Sequence, residues 1–241
     1  MTDERERRRT SFGAVAGAYE RARPGYPREA VAWLTDGARA VLDLGAGTGK
    51  LTRGLLALGL EVVAVEPDAQ MAARLREALP DARGAAGHAE GIPLPDAAVD
   101  AVVAGQAYHW FDPERALPEI SRVLRPGGRL GLVWNTRDER TPWVARLSGL
   151  LGAEAWERGP EESLAASGLF GAVEEARFEH AQELDAEGLR ALVSSRSNVA
   201  IMAEAERGDL LAAVDALFAE EADGGRVTLP YVTQCFRTDR L

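Results

Sequence analysis

A single cysteine, Cys235, stands in the 241 residues of the chain. That scarcity excludes an intramolecular disulfide, leaves no cysteine cluster for zinc or iron–sulfur ligation, and suits a reducing compartment. Long hydrophobic runs are lacking too: no unbroken stretch of about 18 apolar residues is available to span a bilayer. No apolar region follows the basic N-terminal run as it would in a secretory signal, so the expected location is the cytoplasm. Positive charge is also in deficit. Against 38 acidic residues the chain has 28 basic ones, a formal net charge of -10 and a pI near 5.0, which opposes attraction to phosphate backbones and anionic membranes. The one basic cluster, Arg5, Arg7, Arg8 and Arg9, is interleaved with Asp3, Glu4 and Glu6 and reads as a solvated end. Nucleic acid and membrane are therefore not expected partners, and oligomeric state has no signature in the sequence.

What is present is the composition of an ordinary globular protein, 46% hydrophobic and 27% charged. A helical prelude from Phe12 is broken by "RPGYP", and a helix is expected to resume at Arg28. Short apolar runs then alternate with helical stretches: "AVLDL", "TGKLTRGLLALG", "EVVAVEP", "DAQMAARLREAL" and "VDAVVAG", with a weak strand near 82–86. Asp68 is placed as an N-cap, and Met71, Leu75 and Leu79 recur every four residues. This is the β-α-β-α-β order of a parallel sheet. Pro126-Gly127-Gly128 reads as a turn that ends a helix and launches a strand over 129–134. Beyond Asn135 come helices and two further strands, "AVEEARFEHAQEL" and "RVTLPYVTQCFR". The expected organisation is one domain: a helical cap segment over 1–34, a core over 35–135, and helices with the last two strands over 136–241.

The most informative stretch is "VLDLGAGTGK". Glycines at 45, 47 and 49 permit positive φ and let a ligand approach the backbone closely, at the place where open α/β sheets bind ligands. A P-loop does not fit, because Leu44 stands where its first glycine belongs and Leu51 where its Ser or Thr belongs. A dinucleotide fingerprint fits in part, but its third glycine is Lys50. Asp43, expected at the mouth of the loop, would repel a pyrophosphate and attract a ligand bearing an ammonium and a sulfonium. Glu66 ends the second strand, where a carboxylate accepts hydrogen bonds from ribose hydroxyls. S-adenosylmethionine meets both conditions, and an NAD-dependent oxidoreductase or a non-catalytic cofactor-binding module remains as the alternative.

"VLDLGAGTGKLT", "VVAVEPDAQM", "GHAEGIPLPDAAVDAVVAGQAYHWFD" and "ISRVLRPGGRLGLVW" resemble the successive motifs of class I S-adenosylmethionine-dependent methyltransferases, of the small-molecule, methyltransferase type 11-like branch. The resemblance implies a Rossmann-like α/β fold: a seven-stranded, mostly parallel sheet with one antiparallel strand and helices on both faces. It implies S-adenosyl-L-methionine as cofactor, S-adenosyl-L-homocysteine as product, a small-molecule acceptor and no metal. Carried over by position, Gly45, Ala46 and Gly47, with Thr48 and Asp43 beside them, line the methionine and ribose. Glu66 holds the ribose, and Pro67 and Met71 lie about the adenine. His88 and Ala89 flank the adenine, with His88 where the family often has Asp and Glu90 as a substitute; Gln106 approaches the methionine.

Methyl transfer needs alignment in a water-poor pocket more than it needs a catalytic triad. The candidates near the reacting atoms are Gln106, Tyr108 and His109, the last either a general base or a group that orients the acceptor. Trp110 and Phe111 are core or lid residues, with Trp110 also a candidate acceptor contact. Tyr19, Arg23 and Tyr26 are candidates to cover the pocket, with Arg23 offering a fork to a carboxylate. Arg196 and Asn198, in "SSRSNVA", are further acceptor-binding candidates beside the plainer reading of a capped helix start. His180 reads as structural.

Overall fold

Val41, Leu42 and Leu44, all fully or almost fully buried, make β1 (Ala40–Leu44) a strand covered on both faces. The computed structural model describes residues 23–152 and 159–241; Tyr19 and the expected helix from Phe12 lie outside them. Before β1, Pro27 caps α1 (Arg28–Leu34), as "RPGYP" suggests. After it come α2 (Lys50–Ala57), β2 (Glu61–Glu66), α3 (Ala69–Ala78), β3 (Arg83–Ala86) and β4 (Val99–Gly105). The Asp68 carboxylate accepts the Gln70 and Met71 N–H groups and so caps α3, satisfying two of the donors that a helix start leaves open.

A 3₁₀ turn (Tyr108–Trp110) and α4 (Pro113–Val123) lead into β5 (Leu124–Arg137). Then follow α5 (Pro142–Leu151), α6 (Glu161–Ser167), β6 (Glu174–Leu184), α7 (Ala186–Ser194), α8 (Ser197–Ala200), α9 (Glu204–Glu221) and β7 (Val227–Asp239). The seven strands form one sheet in the order β3-β2-β1-β4-β5-β7-β6. Pairs β1–β2, β1–β4, β2–β3 and β4–β5 are parallel. β7 runs antiparallel to β5: from Gly128 on β5 to Asp138 just past its end, the hydrogen-bonded partner retreats from Arg240, just past the end of β7, to Pro230.

One expectation is corrected here. Strand β5 does not start after Pro126-Gly127-Gly128 but contains them. β4 pairs Val99 with Leu124 and Ala101 with Arg129, so the extra residues of "RPGG" bulge from a continuous strand. Gly127 supplies a φ of 69°. At Gly128 a Cβ would lie 2.8 Å from the Arg125 carbonyl and 2.9 Å from that of Asp100, so backbone packs where any other side chain would stand.

The described chain divides into two compact units. One holds Gly25–Asn135, residues 159–178 and Thr233–Leu241; the other holds residues 23–24 and 136–152 with Glu179–Val232. In the first, Leu42, Leu44, Val102, Leu132 and Trp134 pack with α4 on one face of the sheet, while Val41, Val103, Val133 and Cys235 pack with α1 and α2 on the other. The second has its own core of α5, α7, α9 and the adjoining halves of β6 and β7, including Leu147, Val193, Val214 and Leu229. Among the described residues no helix is long and apolar enough to cross a membrane, and no group of three metal-ligating side chains gathers.

Candidate functional site

The strand order reverses between β1 and β4, so the turns that follow these two strands face each other across the crevice where open α/β sheets take ligands. Both turns are conformationally demanding. Gly45, Gly47 and Gly49 have φ of 74°, 58° and 91°. At Gly45 the need is spatial as well: a Cβ would sit 2.7 Å from the Cβ of Ala107, so the two turns meet in a way only glycine allows. On the other side Gln106, with φ 52°, is one of two described non-glycine residues at positive φ, and its N–H donates to the Val133 carbonyl at 2.8 Å. Such strain concentrates where side chains must be aimed.

Asp43 is not at the mouth of the loop. Its place on β1 turns the side chain under α2, where it is fully buried and Thr52 Oγ1 donates to Oδ2 at 2.5 Å. Burial, and secondarily the nearby Glu66 carboxylate, push its pKa up to about 7 against the hydrogen bonding from Thr52. Its other oxygen, Oδ1, and the hydroxyl of Thr48 are buried without a hydrogen-bond partner among the described residues. Orphaned buried acceptors are uncommon enough to call for a missing donor. Sequence reasoning missed Thr52, although a helix that follows a strand through a short turn places its first turn over the strand end.

Glu66 is buried at the end of β2 and is already at work. The Gly47 N–H donates to its Oε2 at 2.8 Å and the Asp68 N–H to its Oε1 at 2.8 Å. The carboxylate therefore ties the glycine turn to the start of α3. Met71 is buried with its Sδ 3.8 Å from where a Gly47 Cβ would lie, and Pro67 is exposed. A small recess beside them, lined by Glu66, Pro67, Ala69, Arg76 and Ala85, has a volume of about 130 Å³, too little for a whole nucleoside ligand.

His88 and Glu90 form a built pair. His88 Nδ1 lies 3.2 Å from Glu90 Oε2, and the other Glu90 oxygen accepts the Asp112 N–H at 2.9 Å. A carboxylate only accepts, so Nδ1 carries the proton of this bond. Burial opposes the ionisation of Glu90, but the Asp112 N–H, its own backbone N–H and His88 together outweigh it and lower its pKa. The ring lies over Gly91, where a Cβ would come within 3.0 Å of Cε1, a seat that the sequence did not disclose. Ala89 is buried in the core beneath.

The turn after β4 sorts its aromatic residues. Tyr108 and Phe111 are buried and meet edge to face, centroids 5.8 Å apart. Tyr108 Oη lies 2.6 Å from Ser163 Oγ, which donates to the Pro160 carbonyl, so Tyr108 is the donor of that pair. His109 and Trp110 remain half-buried, their rings tilted at 46° with centroids 4.9 Å apart. The indole N–H of Trp134 donates to His109 Nδ1 at 3.5 Å, a long-range contact without any sequence signal. Tyr26 packs against Gly105, its hydroxyl 2.7 Å from where a Cβ there would be.

Within the second unit, Arg23 Nε donates to Ser195 Oγ at 3.1 Å. Arg196, 8% exposed, precedes α8, and Asn198 Nδ2 donates to the Leu151 carbonyl at 3.2 Å. His180 stacks on Tyr231 at 5.3 Å.

Residues 42–132 match the model of the methyltransferase domain family. An uncharacterised methyltransferase of Mycobacterium tuberculosis is 48% identical over 98% of both chains. A methyltransferase-like protein of Schizosaccharomyces pombe, also uncharacterised, is 35% identical over 95% of both. Among solved structures, a protein of Anaeromyxobacter dehalogenans proposed to be a type II methyltransferase superposes with a TM-score of 0.65 at 30% identity, covering 90% of this chain and 97% of that one. The chain belongs to the class I S-adenosylmethionine-dependent methyltransferases.

Proposed function

We propose that this methyltransferase binds S-adenosyl-L-methionine on the β1 turn and transfers its methyl group to a small-molecule acceptor in the cytoplasm. The observation that carries the reading is the pair of buried acceptors at the glycine turn, Asp43 Oδ1 and Thr48 Oγ1, in the company of a second carboxylate. Two carboxylates in a dry recess favour a cationic ligand and disfavour a diphosphate. In this reading Asp43 meets the cofactor's ammonium, directly or through one water. Gly45, Ala46 and Gly47 give the close backbone approach, Glu66 accepts from the ribose, and Gln106 stands by the methionine. The cofactor, when bound, supplies a methyl carbon activated by its positive sulfur. The protein's part is to hold that carbon in line with the acceptor and to exclude water. Incubation with isotope-labelled methyl donor and pooled metabolites tests the reading: label is expected in an acceptor fraction, and no transfer from donor to any fraction would count against it.

His88 takes the place of the acid that often reads the adenine amino group, with Nε2 as the acceptor. His88→Ala is expected to weaken S-adenosylhomocysteine binding by about 1 kcal/mol, roughly fivefold. Glu90→Gln, which no longer enforces the Nδ1–H tautomer, is expected to weaken it by less. Equal affinity of wild type and His88→Ala in calorimetry would remove His88 from the site.

A further inference from the structure

From Gly87 to Ala98, between β3 and β4, the chain forms neither helix nor strand, and His88 meets Gly91 in an isolated bridge. The shape of this loop is set from α4. A guanidinium has five N–H donors in a rigid planar fork, and in Arg122 every one of them has an acceptor. Nε and Nη2 donate to the two oxygens of Glu119, both at 2.8 Å. Nη2 also donates to the Ile92 carbonyl at 3.0 Å, and Nη1 to the Leu94 carbonyl at 2.8 Å and to Asp96 Oδ1 at 2.9 Å. Glu119 Oε2 in turn accepts the Ile92 N–H at 2.9 Å. The fork thus holds the backbone of the loop through two carbonyls and, by way of Glu119, one N–H.

To start β4 the fold needs only the bonds that the Ala97 and Ala98 N–H groups make to the Arg122 and Val123 carbonyls. The side-chain fork reaches further back, towards His88. At the other end of the same helix the Asp112 N–H holds Glu90, whose second oxygen meets His88 Nδ1. α4 therefore grips the loop on both sides of Gly91, and at Gly87 the loop closes on itself, since a Cβ there would lie 2.7 Å from Pro93 Cδ. The His88 side chain inside this frame is 51% exposed and open to a ligand. We infer that Arg122 is a positioning residue for the cofactor: it fixes the loop so that His88 stands in place before the nucleoside arrives, and it acts on affinity through His88 rather than by a contact of its own. A loop without this brace would have to be ordered on binding, at a cost in affinity. A lysine is a single ammonium and cannot serve the two Glu119 oxygens and two carbonyls at once. The inference rests on the reading that His88 borders the adenine and adds what holds it there.

A double-mutant cycle on the full chain tests this, read by calorimetry with S-adenosylhomocysteine. Arg122→Lys is expected to weaken binding about fivefold in the wild-type background and by less than about twofold when His88→Ala is already present, because the group it positions is gone. An equal loss in both backgrounds, or no loss in either, would overturn the inference, since a brace of the fold as a whole acts regardless of His88. The second readout is the base itself. S-inosylhomocysteine has an oxo group in place of the adenine amino group, and the preference of wild type for S-adenosylhomocysteine over it is expected to shrink in Arg122→Lys as it does in His88→Ala. A preference in Arg122→Lys equal to that of wild type would contradict the inference. Glu119→Gln, which keeps an acceptor for the Ile92 N–H but weakens the fork, is expected to follow Arg122→Lys to a smaller extent and serves in both measurements if the lysine variant does not fold. His88→Ala alone binding as tightly as wild type would instead count against the adenine reading of His88; a loss there, with Arg122→Lys additive to it, counts against the inference alone.

Discussion

Asp43→Asn is expected to make the free protein more stable at pH 8 and its cofactor binding weaker. The carboxyl has an ordinary value of 3.8 and is pushed up to about 7 by burial in the folded chain. The folded state thus holds a proton that the unfolded state has shed, and stability declines as pH rises between those values and levels off above about 7. By pH 8 the ionised carboxylate costs roughly 4 kcal/mol, from about three pKa units at about 1.4 kcal/mol each. An asparagine removes that cost but places an amide NH₂ where Oδ1 lacks a partner, returning about 1–3 kcal/mol. The net expectation is a melting temperature higher by about 2–10 °C at pH 8 and unchanged or lower at pH 4. Loss of a charge-assisted bond to the ligand's ammonium weakens S-adenosylhomocysteine binding about 10–100-fold. In wild type the same linkage makes affinity rise with pH from 6 to 7.5, because the cation favours the ionised form and binding releases the proton. A melting temperature lowered at both pH values, with affinity intact, would show that Asp43 is a structural residue only.

Glu66→Ala carries the second large effect, because this carboxylate serves two purposes. It accepts the Gly47 and Asp68 N–H groups, so its removal leaves two part-buried donors open and loosens the glycine turn at up to about 1 kcal/mol each. Loss of the ribose bonds adds a further 1–3 kcal/mol in affinity, so the dissociation constant of S-adenosylhomocysteine is expected to rise 100-fold or more. Glu66→Gln keeps one acceptor oxygen and is expected to fall between. Thermal melting alone cannot separate the two purposes, but melting in the presence and absence of saturating ligand can. An unchanged ligand-induced shift in melting temperature would leave Glu66 as a brace of the turn and nothing more.

Much of this was legible in the residues. Apolar runs bounded by Gly59 and Asp68 disclose the parallel core, because hydrophobic period and capping chemistry are local properties. Even the weak third strand is present as β3, Arg83–Ala86. "RPGG" misleads, because turn-forming residues signal a break in chain direction, whereas β4 captures both ends of the bulge and keeps it within one strand. Asp43 was legible as an acid beside the turn, but its depth was not: alternation on β1 puts it on the face that α2 covers, which only the packing of the helix reveals. Trp134 and His109 are 25 residues apart on different elements, and nothing local to either couples them. The same holds for Ser163 and Tyr108.

The central claim is that the β1 turn takes a cationic nucleoside and rejects a dinucleotide. Titration calorimetry of the full chain at pH 7.5 with S-adenosylhomocysteine, S-adenosylmethionine and NADH tests it directly. Saturable binding of both sulfur nucleosides with none of NADH is the expected result; firm binding of NADH with no response to either nucleoside would contradict the account.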